Sequence, residues 1–299
     1  MLMNRGKPGA IKRNDPAMDS KKKSMGMKRV AACFVFLSIF YFFTASPEDE
    51  AAIYGRSSQA SGAVVREAPR LIAHAGGEIH GIRLTNSLQA LDKSYTKGFR
   101  FFELDMDWTS DGVPVLVHDW GNLNWFLNIR HSSQPLAFHE FKTAKAILDL
   151  QFMDLDSLEA WGLSHPDARI VTDVKSENTR MLGIIKEKYP FLFEHILPQI
   201  YQFEEYDDTK ALGYNDIILT LYRLQAKEGE IIAFCRMHPL FGVTMYSENV
   251  SGNLLQELNN LGIKSYIHTV NAYNDYVKFR ENGAYGVYTD YFEPGNWVE

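Results

Sequence analysis

Short apolar runs alternate with longer amphipathic stretches through most of this chain, and the alternation sets the expected fold. Strand-length runs fall at Leu71–His74, Phe101–Asp105, Val113–His118, Arg169–Lys175, His195–Tyr201, Asp216–Tyr222, Gly242–Tyr246, Lys264–Asn271 and Tyr285–Asp290. Helix-length segments separate most of them, the pattern of parallel strands joined by crossovers. One pair departs from it. Between Asp105 and Val113 lies only MDWTSDG, too short for a helical crossover and suited to a hairpin turning at Asp111-Gly112. Setting that antiparallel partner aside leaves eight parallel strands, the number that closes a (β/α)8 barrel. The predicted fold is therefore α/β: a (β/α)8 TIM barrel with a short β-hairpin after strand 2, preceded by one N-terminal transmembrane helix.

Helical periodicity is legible in three places. Thr85-Asn86 is expected to cap a helix running over Leu88, Leu91 and Tyr95 and ending near Gly98. Other stripes run through Leu254, Leu255, Leu258 and Leu261, and through Tyr273, Tyr276 and Phe279. Each is expected to cover the outside of the barrel. The transmembrane expectation rests on residues 30–47, which carry no charge and as a helix would span about 27 Å, near the thickness of bilayer hydrocarbon. Lys21, Lys22, Lys23, Lys28 and Arg29 precede this run, while Glu48, Asp49 and Glu50 follow it, which keeps the N-terminus in the cytoplasm. A cleaved signal peptide and a buried core helix are alternatives. The long basic leader and the poor cleavage site at Thr44-Ala45-Ser46 favour a retained signal-anchor. The expected organisation is a basic cytoplasmic leader (1–29), a single-pass signal-anchor (30–47), a linker (48–68) and one barrel (69–299). The barrel would lie on the exported side, periplasmic or extracellular.

Composition sharpens this picture mainly through charge. The 299 residues are 45% hydrophobic and 23% charged, which excludes wholesale disorder and a polytopic membrane protein. The net charge of −6 divides into +7 over residues 1–29 and −13 over the remainder. Basic charge confined to one end argues for a membrane-flanking segment and against a nucleic-acid surface. Two cysteines, Cys33 and Cys235, make no disulfide framework. Nothing in the pattern calls for an obligate protein partner.

The chemistry lies in which polar residues share a strand face. In FFELDMD, Phe102, Leu104 and Met106 point one way and Glu103, Asp105 and Asp107 the other. If the apolar set packs beneath the helices, the carboxylates face the barrel axis, where they repel and lose hydration unless a cation compensates. A divalent metal with oxygen ligands is the simplest solution, and carboxylates satisfied by Lys or Arg are the plainer one. In IVTDVK the inward set is Val171, Asp173 and Lys175. Asp173 can add a third carboxylate, and Lys175 a fixed positive charge for an anionic group. His74 and His118 end short strands at the barrel face where such enzymes keep their sites, and suit a general acid–base pair. Gly76-Gly77 after His74 permits close backbone approach to a ligand. His80 and His268 carry more weight than the remaining histidines because they fall at strand ends. Trp108, Trp120, Trp125 and Phe126 near the expected mouth would contact lipid or form a small core of their own.

The ordered set His74-x-Gly76, Asn86, Glu103-x-Asp105, Asp111-Gly112…His118-Asp119, Asp173-x-Lys175, Thr269-Val270-Asn271 and Thr289-Asp290 resembles the glycerophosphodiester phosphodiesterase family, within the phosphatidylinositol-phospholipase-C-like barrels. The resemblance spans nearly all of residues 70–292. It implies a metal-dependent phosphodiester hydrolase acting on a small phosphodiester or lysophospholipid, with Ca²⁺ or Mg²⁺ at Glu103, Asp105 and Asp173. His74 and His118 match the acid–base pair, Lys175 matches the phosphate-contacting lysine, and Gly76 and Asn86 fall in substrate contact. Five positions depart from the family pattern. Ala75 stands where Arg usually follows the first histidine, and Asp173 where Glu usually precedes x-Lys, as in related sphingomyelinase-D-like barrels. Thr85-Asn86-Ser87 replaces Glu-Asn-Thr, and His268 replaces a frequent Trp. Arg83 is one candidate for the missing guanidinium. Ala75 and Thr85-Asn86-Ser87 also leave open a non-catalytic binder of a phosphorylated envelope ligand. A phospholipase-type lyase or transphosphatidylase is a further alternative.

Overall fold

The computed structural model describes residues 68–127 and 132–295. The expected leader, the signal-anchor and all but the last residue of the linker lie outside these. Among the described residues, no helix is long and apolar enough to cross a membrane. The strands are β1 (Leu71–Ala73), β2 (Phe101–Trp108), β3 (Pro114–Leu116), β4 (Arg169–Val174), β5 (Ile196–Leu197), β6 (Gln199–Ile200), β7 (Ile218–Thr220), β8 (Gly242–Tyr246), β9 (Lys264–His268) and β10 (Gly286–Thr289). They join in the order β5-β4-β2-β1-β10-β9-β8-β7-β6, every neighbour parallel, while β3 pairs antiparallel with β2 outside that path.

The expected strand His195–Tyr201 is thus broken in two, and its break closes the ring. Pro198 has no N–H to offer a ladder, but its carbonyl accepts from Ile218 N at 2.9 Å. β5 before it pairs with β4, and β6 after it pairs with β7. Because β5 and β6 are consecutive, the sheet returns on itself as a nearly closed barrel. The hairpin turns where expected, with Gly112 N donating to Thr109 O at 2.9 Å.

Strand alternation sorts the apolar side chains into two bodies. Phe102, Leu104 and Met106 of β2 join the large core beneath the surrounding helices. Ile72, Phe101, Val171, Leu197, Ile218, Tyr266 and Tyr288 fill the barrel interior as one buried layer. The three expected helices form at Leu88–Thr96, Gly252–Asn260 and Tyr273–Glu281. Their buried positions include Leu91, then Leu254, Leu255 and Leu258, and then Tyr276. The first is capped one residue later than expected: Ser87 Oγ, not Thr85 or Asn86, accepts from Ala90 N at 3.3 Å. The segment between β3 and β4 holds short helices, including Trp120–Phe126 and Phe138–Thr143, over a separate cluster of Val115, Val117, Trp120, Leu123, Leu127 and Phe141. Trp120 packs into that cluster and Phe126 into another with Ile79, Ala90 and Leu150, and Trp125 alone among the four aromatics at the expected mouth is strongly exposed.

Candidate active site

The polar end of the barrel begins two residues beyond its apolar layer. Phe101 sits in that layer, so Glu103 and Asp105 follow on the same face and are almost wholly buried. β2 and β4 are paired so that Asp105 stands opposite Asp173. Oxygen atoms of Glu103, Asp105 and Asp173 lie within 4.8 Å of one another. Asp107, next on that face, leaves the cluster and accepts from Trp120 Nε1 at 3.0 Å.

Each carboxylate is held differently. Asp105 is bracketed by Asn86, whose Nδ2 donates to Oδ2 at 2.9 Å while its Oδ1 accepts from Asp105 N at 3.0 Å. Asn86 is buried with a φ of 48°, so the structure turns it toward the carboxylate. Lys175 Nζ donates to Asp105 Oδ1, and to Asp173 Oδ2 at 2.8 Å. Asp173 Oδ1 accepts from the hydroxyls of Tyr201, at 2.7 Å, and of Tyr222. Burial alone would raise the Asp173 carboxyl, but the Lys175 charge and these donors hold it below the usual carboxylate range. Glu103 has the opposite balance. Its Oε2 accepts from Ala75 N at 2.8 Å, and its Oε1 is buried with no hydrogen-bond partner among the described residues. Burial, then the charge of Asp105, pushes its carboxyl up to about 8.

His74 closes the other side. It follows β1 and is buried, with Nδ1 2.8 Å from Asp290 Oδ1 and Nε2 3.9 Å from Glu103 Oε2. Asp290 is fixed by Asn271, whose Nδ2 donates to Oδ2 at 2.6 Å. Burial opposes a charge on His74, but the Asp290 hydrogen bond and the nearby carboxylates outweigh it and raise the imidazole to about 9. His268 meets His74 edge to face, ring centres 4.6 Å apart, and burial drives its imidazole down to about 3. Gly76, with φ 79°, places its Cα against the helix 88–96: a Cβ there would stand 2.7 Å from Leu91 Cδ1. Its carbonyl accepts from Ser94 Oγ at 2.7 Å.

His118 lies one residue beyond Val117, whose N donates to Asp105 O at 3.0 Å. It is partly exposed and paired with Asp119, Nδ1 to Oδ2 at 3.0 Å. No hydrogen bond joins it to His74 or to the three carboxylates among the described residues. The structure therefore brings His74, Asn86, Glu103, Asp105, Asp173 and Lys175 into one cluster and sets His118 at its margin. A cavity of about 660 Å³ lies elsewhere, bounded by Leu88, Phe141, Met153, Trp161 and His165, and contains none of these groups.

Asp290, Asn271, Tyr201 and Tyr222 were given no role from the sequence. Asp290 had a readable signal, since it ends a strand two residues after an apolar inward position. The tyrosines had none, because only closure of the barrel brings them to Asp173.

Residues 75–210 match the Glycerophosphoryl diester phosphodiesterase family. The match covers the first part of the barrel and takes in the motifs from the residue after His74 through Lys175. The family's enzymes are phosphoric diester hydrolases, so the resemblance carried by the ordered motifs holds. A glycerophosphodiester phosphodiesterase from Thermotoga maritima shares the fold, with a TM-score of 0.59 at 18% identity over 75% of this chain and 95% of its own. An Oleispira antarctica phosphodiesterase, solved with its product sn-glycerol-3-phosphate, has a TM-score of 0.58 at 17% identity, covering 75% and 93%. A lysophospholipase D of Mus musculus is 35% identical over 83 residues, 28% of this chain and 24% of its own length.

Proposed function

We propose that this barrel hydrolyses small glycerophosphodiesters, with His74 and His118 as the acid–base pair. The observation that carries this reading is the buried His74–Asp290 pair, set 3.9 Å from Glu103 at the edge of a cluster of three carboxylates and one lysine. The glycerol-3-phosphate product of the Oleispira enzyme supports a small substrate.

The donor set fits a divalent cation. Three carboxylates converge, all offering hard oxygen, and Glu103 Oε1 is buried with no hydrogen-bond donor among the described residues. Glu103, Asp105 and Asp173 would hold the ion, Ca²⁺ or Mg²⁺, which when bound supplies charge stabilisation at a phosphoryl oxygen. The remaining work belongs to the chain. Lys175 offsets negative charge on the phosphate, and Asn86 fixes the Asp105 carboxylate. Asp290 orients the His74 ring through Nδ1, leaving Nε2 to face the reaction. One histidine withdraws a proton from the attacking hydroxyl, and the other gives one to the departing alkoxide.

We also place the barrel on the exported side of a membrane. The reading is supported by the uncharged run 30–47 between basic and acidic flanks.

Incubating the purified full chain with glycerophosphocholine and glycerophosphoethanolamine, with Ca²⁺, Mg²⁺ or a chelator, tests the assignment. Metal-dependent release of the alcohol and glycerol-3-phosphate is the expected result. A cyclic phosphate product would reassign the site as a lyase, and binding without product would make it a passive receptor.

A further inference from the structure

Position 75 cannot offer a cation to a substrate. Ala75 is buried with a φ of 48°, and its N–H is spent on Glu103. Lys175, for its part, is engaged by two carboxylates at once. A phosphodiester entering this cluster would meet three carboxylates and a lysine already shared between two of them. His74 is paired with Asp290, and an ion held by the carboxylates would be offset by them, so an anion gains from a further cation at the mouth.

Arg223 stands there. It follows β7 on the same barrel end as Asp173 and Lys175, and its side chain is one-third exposed. Its Nη1 donates to two backbone carbonyls, Val174 O at 2.9 Å and Lys175 O at 3.2 Å. The guanidinium is stacked on Tyr201, 4.3 Å from the ring centre, with Tyr222 at 5.3 Å. Its fork is therefore oriented before any ligand arrives, yet carbonyl oxygens do not neutralise it. Nη2 forms a loose ion pair with Asp173 Oδ1 at 3.6 Å, too long for a hydrogen bond, and that oxygen already accepts from two tyrosines. Of the five N–H groups a guanidinium carries, three have no hydrogen-bond acceptor among the described residues. Arg83 is the weaker candidate: half-exposed, it donates at 3.5 Å to Oδ2 of Asp290, the partner of His74.

We propose that Arg223 is a substrate-binding residue whose guanidinium grips the non-bridging oxygens of the phosphodiester, supplying beside Lys175 the planar fork that position 75 lacks. Two non-bridging oxygens sharing one negative charge match a guanidinium fork better than a point-charge ammonium. The inference rests on the phosphodiesterase reading for its substrate, but its test does not need turnover.

Full-chain wild type, Arg223→Gln, Arg223→Lys and Arg83→Gln are compared by kinetics on glycerophosphocholine, by calorimetric binding of glycerol-3-phosphate and by thermal unfolding. Arg223→Gln is expected to raise KM and to weaken glycerol-3-phosphate binding about 10- to 100-fold, the loss of one or two charge-assisted hydrogen bonds. kcat should change less, and Arg223→Lys should recover part of the binding by restoring the charge without the fork. Unchanged binding in Arg223→Gln, with only a lower unfolding temperature, would reduce the residue to a clamp on the end of β4 and overturn the proposal. Loss of binding confined to Arg83→Gln would also overturn it. A wild type that binds glycerol-3-phosphate without hydrolysing any diester would sink the hydrolase reading, and the binding comparison would still decide Arg223.

Discussion

Two successive layers inside the barrel differ in almost every physical respect, although the same strands build both. The lower one is the buried set that includes Ile72, Phe101, Val171, Tyr266 and Tyr288. Two residues further along, the same strands or the residues just beyond them carry His74, Glu103, Asp173, His268 and Asp290. That step is only about 6.6 Å of extended chain. Below it the interior is nearly all hydrocarbon and aromatic ring. Above it, carboxylates, imidazoles and a lysine are packed closely enough that burial raises Glu103 to about 8 and lowers His268 to about 3. The lower layer fixes the register and the inward direction of each strand, so it delivers unlike charges to one point. The upper layer stores unfavourable electrostatics, like charges brought together out of water, that a bound cation would relieve. Stability and reactivity are thus separated by one step of strand alternation.

Single substitutions in the two layers should fail in opposite ways. His74→Ala is expected to lower turnover about 10²- to 10⁴-fold, the usual worth of a positioned acid or base. Its urea midpoint should move far less than that of any truncation in the layer below. Phe101→Ala is expected to do the reverse, costing about 3–5 kcal/mol of stability by leaving a cavity, while molecules still folded keep most of their activity. Urea denaturation paired with steady-state rates measures both. A His74→Ala protein that unfolds as readily as Phe101→Ala would break the distinction.

The layering was also the part of the molecule most readable in advance. Period-two alternation in FFELDMD and IVTDVK needs no partner strand to be seen, and it put Glu103, Asp105, Asp173 and Lys175 on one face before any fold was known. Counting strands anticipated the barrel for the same reason. What alternation cannot carry is the register between distant strands. Tyr201, Tyr222 and Arg223 reach Asp173 only because β6 and β7 close the ring, and no local pattern in YQFEEY or LTLYRLQ announces it. The break at Pro198 was hidden inside an apolar run that reads as one strand. Asn86 is expected beside the substrate, and its hold on Asp105 is what the sequence does not announce. Its φ of 48° depends on the turn that runs back to Ala75, whose carbonyl accepts from Asn86 N at 3.2 Å. The first part of the segment between β3 and β4 is opaque because its short helices answer to a small core of their own.

A polar cluster outside both layers gives the smallest expected effect and tests whether charge burial matters only in the upper one. Asp154 caps the helix Leu155–Ser164, its Oδ1 accepting from Ser157 N at 2.8 Å, and its Oδ2 pairs with Lys142 at 2.8 Å. Burial pushes this carboxyl up, but hydrogen bonds from Lys142 and Ser157 outweigh it and hold it below its ordinary value. A carboxyl whose folded value is depressed stabilises the protein above its unfolded value, and that contribution disappears as pH falls through the folded one. Asp154→Asn keeps an oxygen for the cap and removes the charge. The wild type should therefore lose stability on acidification below about pH 4 more steeply than the variant. The difference at neutral pH should be no more than about 1 kcal/mol, the scale of a helix cap. Thermal unfolding followed between pH 7 and pH 3 would show it. Parallel curves for the two proteins would mean that the Lys142 pair contributes nothing, and would leave Asp173, whose carboxyl is also held low, as the carboxylate whose buried charge governs acid stability.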